Sequence, residues 1–248
     1  MARTRWIDCT GIDNIRDLGG LPVQGGRVTR RGVLYRASTL QDASPADADL
    51  LVGYLGIRTL IDLRRPGEAR REGLGHVAST AVTYVNLPVG DPHHSVSELV
   101  PDGRRVDLAS IYSQFLAESA DSLVAAVRIA AVSRRRPTLF HCAAGKDRTG
   151  VLASLILDAV GVPMDAIADD YALTSSRMER IRARLAGLES YQHIPAVDPD
   201  FFRADAVTME TFLHALHEEH GGAAAWLRSQ GLSTEELARL RHVLVATA

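Results

Sequence analysis

An α/β fold follows from three features of the 248-residue sequence. Short β-rich runs alternate with helical stretches through the first two-thirds of the chain. One such run, residues 138–141, passes directly into a small-residue loop and then an apolar helix. From residue 163 onward nearly all the periodicity is helical. Alternation of this kind builds a central sheet with helices laid against it, and the closing helices add a further layer. The length suits one domain spanning 1–248, and no composition break, repeat or low-complexity tract divides it.

In chain order, the first forty residues read as turns and short strands. Asn14-Ile15-Arg16-Asp17-Leu18 ends on Gly19-Gly20, and Gly25-Gly26 marks a hairpin turn. Val33-Leu34-Tyr35-Arg36 reads as a strand. Ser44-Pro45-Ala46-Asp47 starts a helix, with Ser at N-cap, Pro at N1 and Asp at N3, running to about residue 55. Residues 57–63 are β-rich, and Arg64-Arg65-Pro66-Gly67-Glu68 turns the chain into another helix. Residues 82–87 form the next strand. Residues 89–104, rich in Pro, Gly, Asp, His and Ser, read as a mobile surface loop.

Helices follow over 108–118 and 120–134, ended by Pro137. After the strand at 138–141, the spacing predicts a helix over 149–160, closed by Gly161 and Pro163. Helical spacing then covers 163–172, 174–187, 204–220, 222–229 and 233–246. The last begins with the capping box Ser233-Thr234-Glu235-Glu236. Tyr191 to Pro199 is a connector.

Composition removes several function classes. A net charge of −2 without a polybasic tail argues against a nucleic-acid partner. No apolar run is long enough for an integral membrane segment, and residues 1–8 lack a secretory apolar stretch. With only Cys9 and Cys142, neither a disulfide framework nor a cysteine metal cluster is expected, and a reducing, cytoplasmic setting is the default. No metal or other cofactor is implied. Nothing in the sequence sets an oligomeric state. The basic residues are arginines with one exception, Lys146.

That lysine lies in the segment that carries the chemistry. Cys142 leaves the strand end. Ala143, Ala144, Gly145, Lys146 and Asp147 form a loop small enough for backbone N–H groups to converge on one anion at a helix N-terminus. Arg148 adds a planar fork suited to two phosphate oxygens. The same positive field favours a sulfur anion at Cys142, a nucleophile held beneath a bound phosphoryl group. Thr149 is placed to donate its hydroxyl to that sulfur, and His141 to brace the loop through a backbone carbonyl.

The string His141-Cys142-x-x-Gly145-x-x-Arg148-Thr149 resembles the signature of cysteine-dependent protein tyrosine phosphatases. The fuller His-Cys-x-x-Gly-Lys-Asp-Arg-Thr-Gly is similar to the bacterial tyrosine-specific and lipid phosphatases of the mycobacterial type. Asn14 to Gly20, Leu34-Tyr35-Arg36-Ala37-Ser38, Ile61-Asp62-Leu63-Arg64 and Asp170-Tyr171 fall in that family's order, so the resemblance spans most of the chain. It implies a tyrosine phosphatase-like sheet and a metal-free phosphocysteine mechanism. The substrate would be a phosphorylated protein or, given Lys146 in the loop, a phosphoinositide. It also implies that the helices after 163 form a lid, with Tyr171, Met178 and Phe201-Phe202 as pocket-wall groups or ordinary packing.

The general acid is open on sequence. The Trp-Pro-Asp motif of many relatives is missing, and Trp6 and Trp226 lie near the ends. Asp147, inside the loop, is the first choice, and Asp62, at a strand end, the second. Asp62 would otherwise orient Arg148 or Lys146. Arg64 or Arg65 is expected to reach substrate at the sheet's C-terminal edge. Two other classes compete with catalysis of this kind: a low-turnover phosphate-binding module and a rhodanese-like sulfurtransferase.

The remaining groups receive plainer readings. Cys9 is structural, although a disulfide to Cys142 is conceivable. His214, His217 and His220 read as a solvated helix face rather than a metal site, since their spacing is not His-Glu-x-x-His. Asp169-Asp170 is expected to face solvent or cap a helix, and Arg134-Arg135-Arg136 to sit at a helix C-terminus.

Overall fold

The computed structural model describes residues 4–90, 107–191 and 202–247. The predicted loop at 89–104 and the connector ending at Pro199 therefore lie largely outside the described residues. The chain begins with β1 (Arg16–Asp17), a hairpin of β2 (Pro22–Val23) and β3 (Arg27–Thr29), and β4 (Leu34–Ala37). Next come α1 (Pro45–Ala48), continued as a wider helical turn through Tyr54, then β5 (Thr59–Asp62), α2 (Pro66–Glu72) and β6 (Thr83–Asn86). Helices α3 (Leu108–Glu118) and α4 (Ala120–Ala131) lead to β7 (Thr138–His141) and α5 (Asp147–Val160). The chain closes with α6 (Met164–Ala172), α7 (Met178–Ala186), α8 (Ala206–His220), α9 (Ala223–Ser229), α10 (Thr234–Leu244) and β8 (Val245–Thr247).

The central sheet has the order β1-β4-β7-β5-β6, with β1 antiparallel to β4 and the other four strands parallel. Both faces are buried along β4, β7 and β5, while the edge strand β6 is partly exposed, and period-2 alternation assigns each side chain to one face. Leu34, Ile61 and Phe140 face the larger core, which α3 to α10 cover. Tyr35, Leu60 and Leu139 face a smaller core under the N-terminal segment and α1. β7, at the sheet's centre, is buried throughout. Its C-terminal end therefore opens the loop at Cys142 between β4 and β5, where parallel sheets place their ligands.

Several boundaries differ from the sequence reading. The helix expected over 174–187 begins at Met178, after a 3-10 turn over Leu173–Arg177. α5 starts at Asp147 rather than Thr149, because Lys146 already accepts the Gly150 N–H and closes the first turn. α4 stops at Ala131, and Arg134 and Arg135 sit in a separate 3-10 turn rather than at an α-helix terminus. β8 carries no sequence signal of its own. It completes a small sheet by pairing antiparallel with β3, at the end of a run whose spacing is helical. No helix among the described residues is long and apolar enough to cross a membrane.

Candidate active site

The loop from Cys142 to Arg148 is shaped by its carbonyls. Five consecutive ones are bonded away from the loop centre. Cys142 O meets His141 Nδ1 at 3.2 Å, and Ala143 O accepts from Thr39 N at 2.9 Å. Ala144 O and Gly145 O accept from Asn14 Nδ2 at 3.1 and 2.9 Å. Gly145 O also accepts from Arg36 Nη2 at 2.8 Å, and Lys146 O from Gly150 N at 2.7 Å. Each trans peptide fixes its N–H opposite its C=O. Carbonyls held outward therefore leave the amides of residues 143–147 turned toward the Cys142 side, an anion nest at the start of α5.

Gly145 is required here by position. Its φ is +66°, and a Cβ would lie 2.4 Å from the Ala37 carbonyl oxygen. Asn14 also sits in the left-handed region, at φ 55°, where Asn is better tolerated than most residues.

Asn14 is in turn held by Arg16, whose Nη1 donates to its Oδ1 at 2.5 Å. Arg16, Arg36 and Arg5 all bind Asp170, at 3.2, 2.9 and 2.6 Å. Asp170 is 1 % exposed, not solvent-facing as the sequence suggests; its neighbour Asp169 is the exposed one. Burial disfavours the Asp170 charge, but Arg16, Arg36 and Arg5 outweigh it and hold the carboxyl well below the usual range. Burial and the facing Arg36 bring Arg16 down to about 9, which leaves it charged at neutral pH.

Arg148 is aimed by a residue the sequence reading passed over. Glu68, buried at the N3 position of α2, accepts from Arg148 Nη1 at 2.8 Å and Nη2 at 3.4 Å. Burial raises the Glu68 carboxyl, yet Arg148 and the Arg65 amide bring it down to about 2. Burial opposes the Arg148 charge, and Glu68 and Cys142 more than offset it. The signal for Glu68 was the helix start at Arg65-Pro66, where an N3 carboxylate is ordinary capping. Its reach to Arg148 is tertiary.

Asp62 and Arg64 are placed otherwise than expected. Both are fully buried, and Arg64 Nη2 meets Asp62 Oδ2 at 2.7 Å. Arg64 also donates to Thr39 Oγ1 and the Gly73 carbonyl. With its guanidinium so engaged, Arg64 is a core brace rather than a substrate contact, and Arg65 turns to Glu68. Asp62 accepts further from the Arg64 amide and the Tyr84 hydroxyl, and its carboxyl lies below the ordinary value because His141 and Arg64 outweigh the effect of burial. It touches neither Arg148 nor Lys146 among these bonds.

Asp147 is at the loop's rim. Its Oδ1 accepts from Tyr112 at 2.6 Å and lies 3.2 Å from Lys146 Nζ. Lys146 is buried and also donates to the Arg203 carbonyl at 3.3 Å. Thr149 is buried with its hydroxyl making no hydrogen bond, so the expected bond to the Cys142 sulfur is not formed in this structure. Tyr171 and Met178 are core residues, and Phe202 packs under Arg182. Phe201 lies outside the described residues. Cys9 and Cys142 are both free thiols, and burial and Asp47 push the Cys9 thiol up to about 12. His217 pairs with Asp158 at 2.8 Å while His214 and His220 are exposed, and no metal-holding group occurs among the described residues.

A family model described as "Tyrosine phosphatase family" matches residues 7–246. The chain belongs to the tyrosine phosphatase family. It is 32 % identical over 228 residues to a putative tyrosine-protein phosphatase of Cupriavidus necator, covering 88 % of this chain and 81 % of that one. It is 27 % identical to the triple specificity protein phosphatase PtpB of Mycobacterium tuberculosis, covering 95 % and 97 %. A tyrosine-protein phosphatase of Nostoc commune is 30 % identical, over 83 % and 72 %. The chain is thus a cysteine-based phosphatase.

Two outcomes follow for this phosphatase. Glu68→Gln weakens a charge-assisted pair worth about 1.5–3 kcal/mol, so kcat/KM for an aryl phosphate should fall about ten- to a hundredfold. An unchanged rate would show that Arg148 keeps its pose unaided. His141 is buried and, by burial with Asp62 opposing, lowered from 6.5 to about 4. The unfolded chain takes up a proton below 6.5 that the folded chain refuses. This contribution to stability is complete above 6.5 and is lost as pH falls toward 4. Urea midpoints measured across that window should fall more steeply for the wild type than for His141→Asn.

Proposed function

We propose that the protein hydrolyses phosphomonoesters through a phosphocysteine at Cys142, with phosphotyrosine in proteins as its leading substrate. The observation that carries this reading is the set of five outward carbonyls, which leaves the loop amides for the phosphoryl oxygens directly above the cysteine. Arg148, clamped by Glu68 at two nitrogens, keeps the rest of its fork for the equatorial oxygens of the transition state.

In the first step the Cys142 sulfur attacks phosphorus. The S–P bond forms, the ester P–O bond breaks, and Asp147 gives its proton to the leaving oxygen. In the second step the Asp147 carboxylate takes a proton from water, the oxygen attacks phosphorus, and the sulfur leaves with its electron pair. The buried, unpaired Thr149 hydroxyl is available to stabilise that departing sulfur.

Asp147 is favoured over Asp62 on two grounds. Asp147 retains some exposure at the loop rim, whereas Asp62 is sealed and ionised against Arg64. Lys146 places a second cation in the loop, which supports multiply phosphorylated, acidic substrates such as phosphoinositides as a further class. The sulfurtransferase and low-turnover binding readings have no comparable support.

Hydrolysis of para-nitrophenyl phosphate in EDTA tests the mechanism. Wild type should turn over, while Cys142→Ser should bind inorganic phosphate without turnover. Activity in the serine variant at the wild-type rate would overturn the reading. Asp147→Asn should lower kcat/KM for phenyl phosphate about a hundredfold or more. Asp62→Asn should instead destabilise the fold by about 3–5 kcal/mol, since it leaves a buried guanidinium poorly paired. Thermal or urea unfolding reads the second effect separately from rate.

A further inference from the structure

We propose that Tyr112, backed by Tyr171, is a positioning residue that holds one oxygen of Asp147 so that the other faces the leaving group. The inference rests on the general-acid reading of Asp147 given above.

The Tyr112 hydroxyl lies 2.6 Å from Asp147 Oδ1, and the Tyr171 hydroxyl lies 2.7 Å from that of Tyr112. A hydroxyl has one proton. If Tyr112 donates to the carboxyl, its own oxygen is left to accept, and Tyr171 is the donor that fills it. Both phenols are buried, and burial together with Asp147 pushes each well above its ordinary value, so both keep their protons. Lys146 Nζ approaches the same Oδ1. Among the described residues, every hydrogen bond and ion pair of Asp147 falls on Oδ1 and none on Oδ2.

A carboxyl pinned at one oxygen has lost rotation about its last bond. Oδ2 is then the oxygen that carries the proton outward in the first step and receives it from water in the second. That is the division general acid–base work requires, one oxygen for orientation and one for transfer.

The mount is rigid. The Tyr112 ring is fixed by stacking on Phe115 and by edge contacts to Tyr171 and Phe212 at 5.9–6.2 Å between centroids. Gly150, in the first turn of α5, admits Tyr171: a Cβ there would stand 3.0 Å from its ring. Tyr171 adjoins Asp170, so consecutive residues of α6 fix the carbonyl side of the loop and its carboxyl.

The test uses Tyr112→Phe and Tyr171→Phe, which keep the rings, in wild-type and Asp147→Asn backgrounds. The readout is kcat/KM for aryl phosphates whose phenols span a wide range of acidity. Tyr112→Phe should cost about tenfold with phenyl phosphate and little with 2,4-dinitrophenyl phosphate, whose phenolate leaves unassisted. Tyr171→Phe should show the same pattern, more weakly. Both effects should vanish in the Asp147→Asn background. A loss equal for every leaving group, or one that persists without the Asp147 carboxyl, would mean a merely structural role and overturn the proposal. If Asp147→Asn itself shows no leaving-group dependence, the general-acid reading fails and this inference falls with it. Dependence in Asp147→Asn with none in either tyrosine variant overturns the positioning role alone.

Discussion

Five amides can face one anion only if the five carbonyls paired with them by peptide planarity are held outward. An isolated loop of Ala, Gly and Lys has no reason to adopt that state, since carbonyls prefer solvent or a helical partner. The structure supplies a hydrogen-bond donor to each, with Asn14 serving two of them, drawn from the N-terminal segment, from β4 and the residues just after it, from the end of β7 and from α5 itself. The most demanding position is Gly145, whose carbonyl is held by both Asn14 and Arg36. Those two groups converge only because Asp170 gathers Arg16 and Arg36 beneath the loop.

The cost of that arrangement explains its form. Three guanidiniums around one buried carboxylate leave an excess of positive charge, and the facing Arg36 helps draw the Arg16 proton affinity down. Buried ion groups of this kind are a poor route to stability compared with apolar packing. Their value is geometric. Planar forks fix Asn14 and Gly145 in direction as well as distance. The larger core, covered by α3 to α10, supplies the apolar stability that such a cluster requires.

The candidate loop was legible because a strand running into a small-residue loop and a helix is a local pattern, and Cys142, Arg148 and the loop between them all lie within it. The strands of the parallel sheet were legible as β-rich runs. The supports were not. Glu68 reads as a helix cap, Tyr112 as one aromatic in an amphipathic stretch, and Asp170 as a polar residue beside another. Each acquires its role only across 35 to 154 residues of chain, through hydrogen bonds that no periodicity encodes. Arg64 failed in the opposite sense: sequence placed it correctly at the sheet's edge, yet the carboxylate two residues before it captures the guanidinium. β8 failed because helical spacing in α10 runs into it without a break, and only the free edge of β3 selects extended backbone there.

On the proposed mechanism, placing the acid inside the phosphate loop, at Asp147, changes what must move. Where the acid sits on a separate mobile loop, nucleophile and proton donor meet only when that loop closes. Here Cys142 and Asp147 are ends of one short segment whose intervening carbonyls are all fixed. Their separation is therefore a property of the folded loop. Catalytic geometry is then set before substrate arrives, so the entropy of aligning acid and nucleophile is lost during folding rather than during turnover. The same logic accounts for Tyr112. A donor already aligned in the backbone needs its carboxyl fixed only about the side-chain bonds, and a single buried hydroxyl at 2.6 Å is sufficient for that.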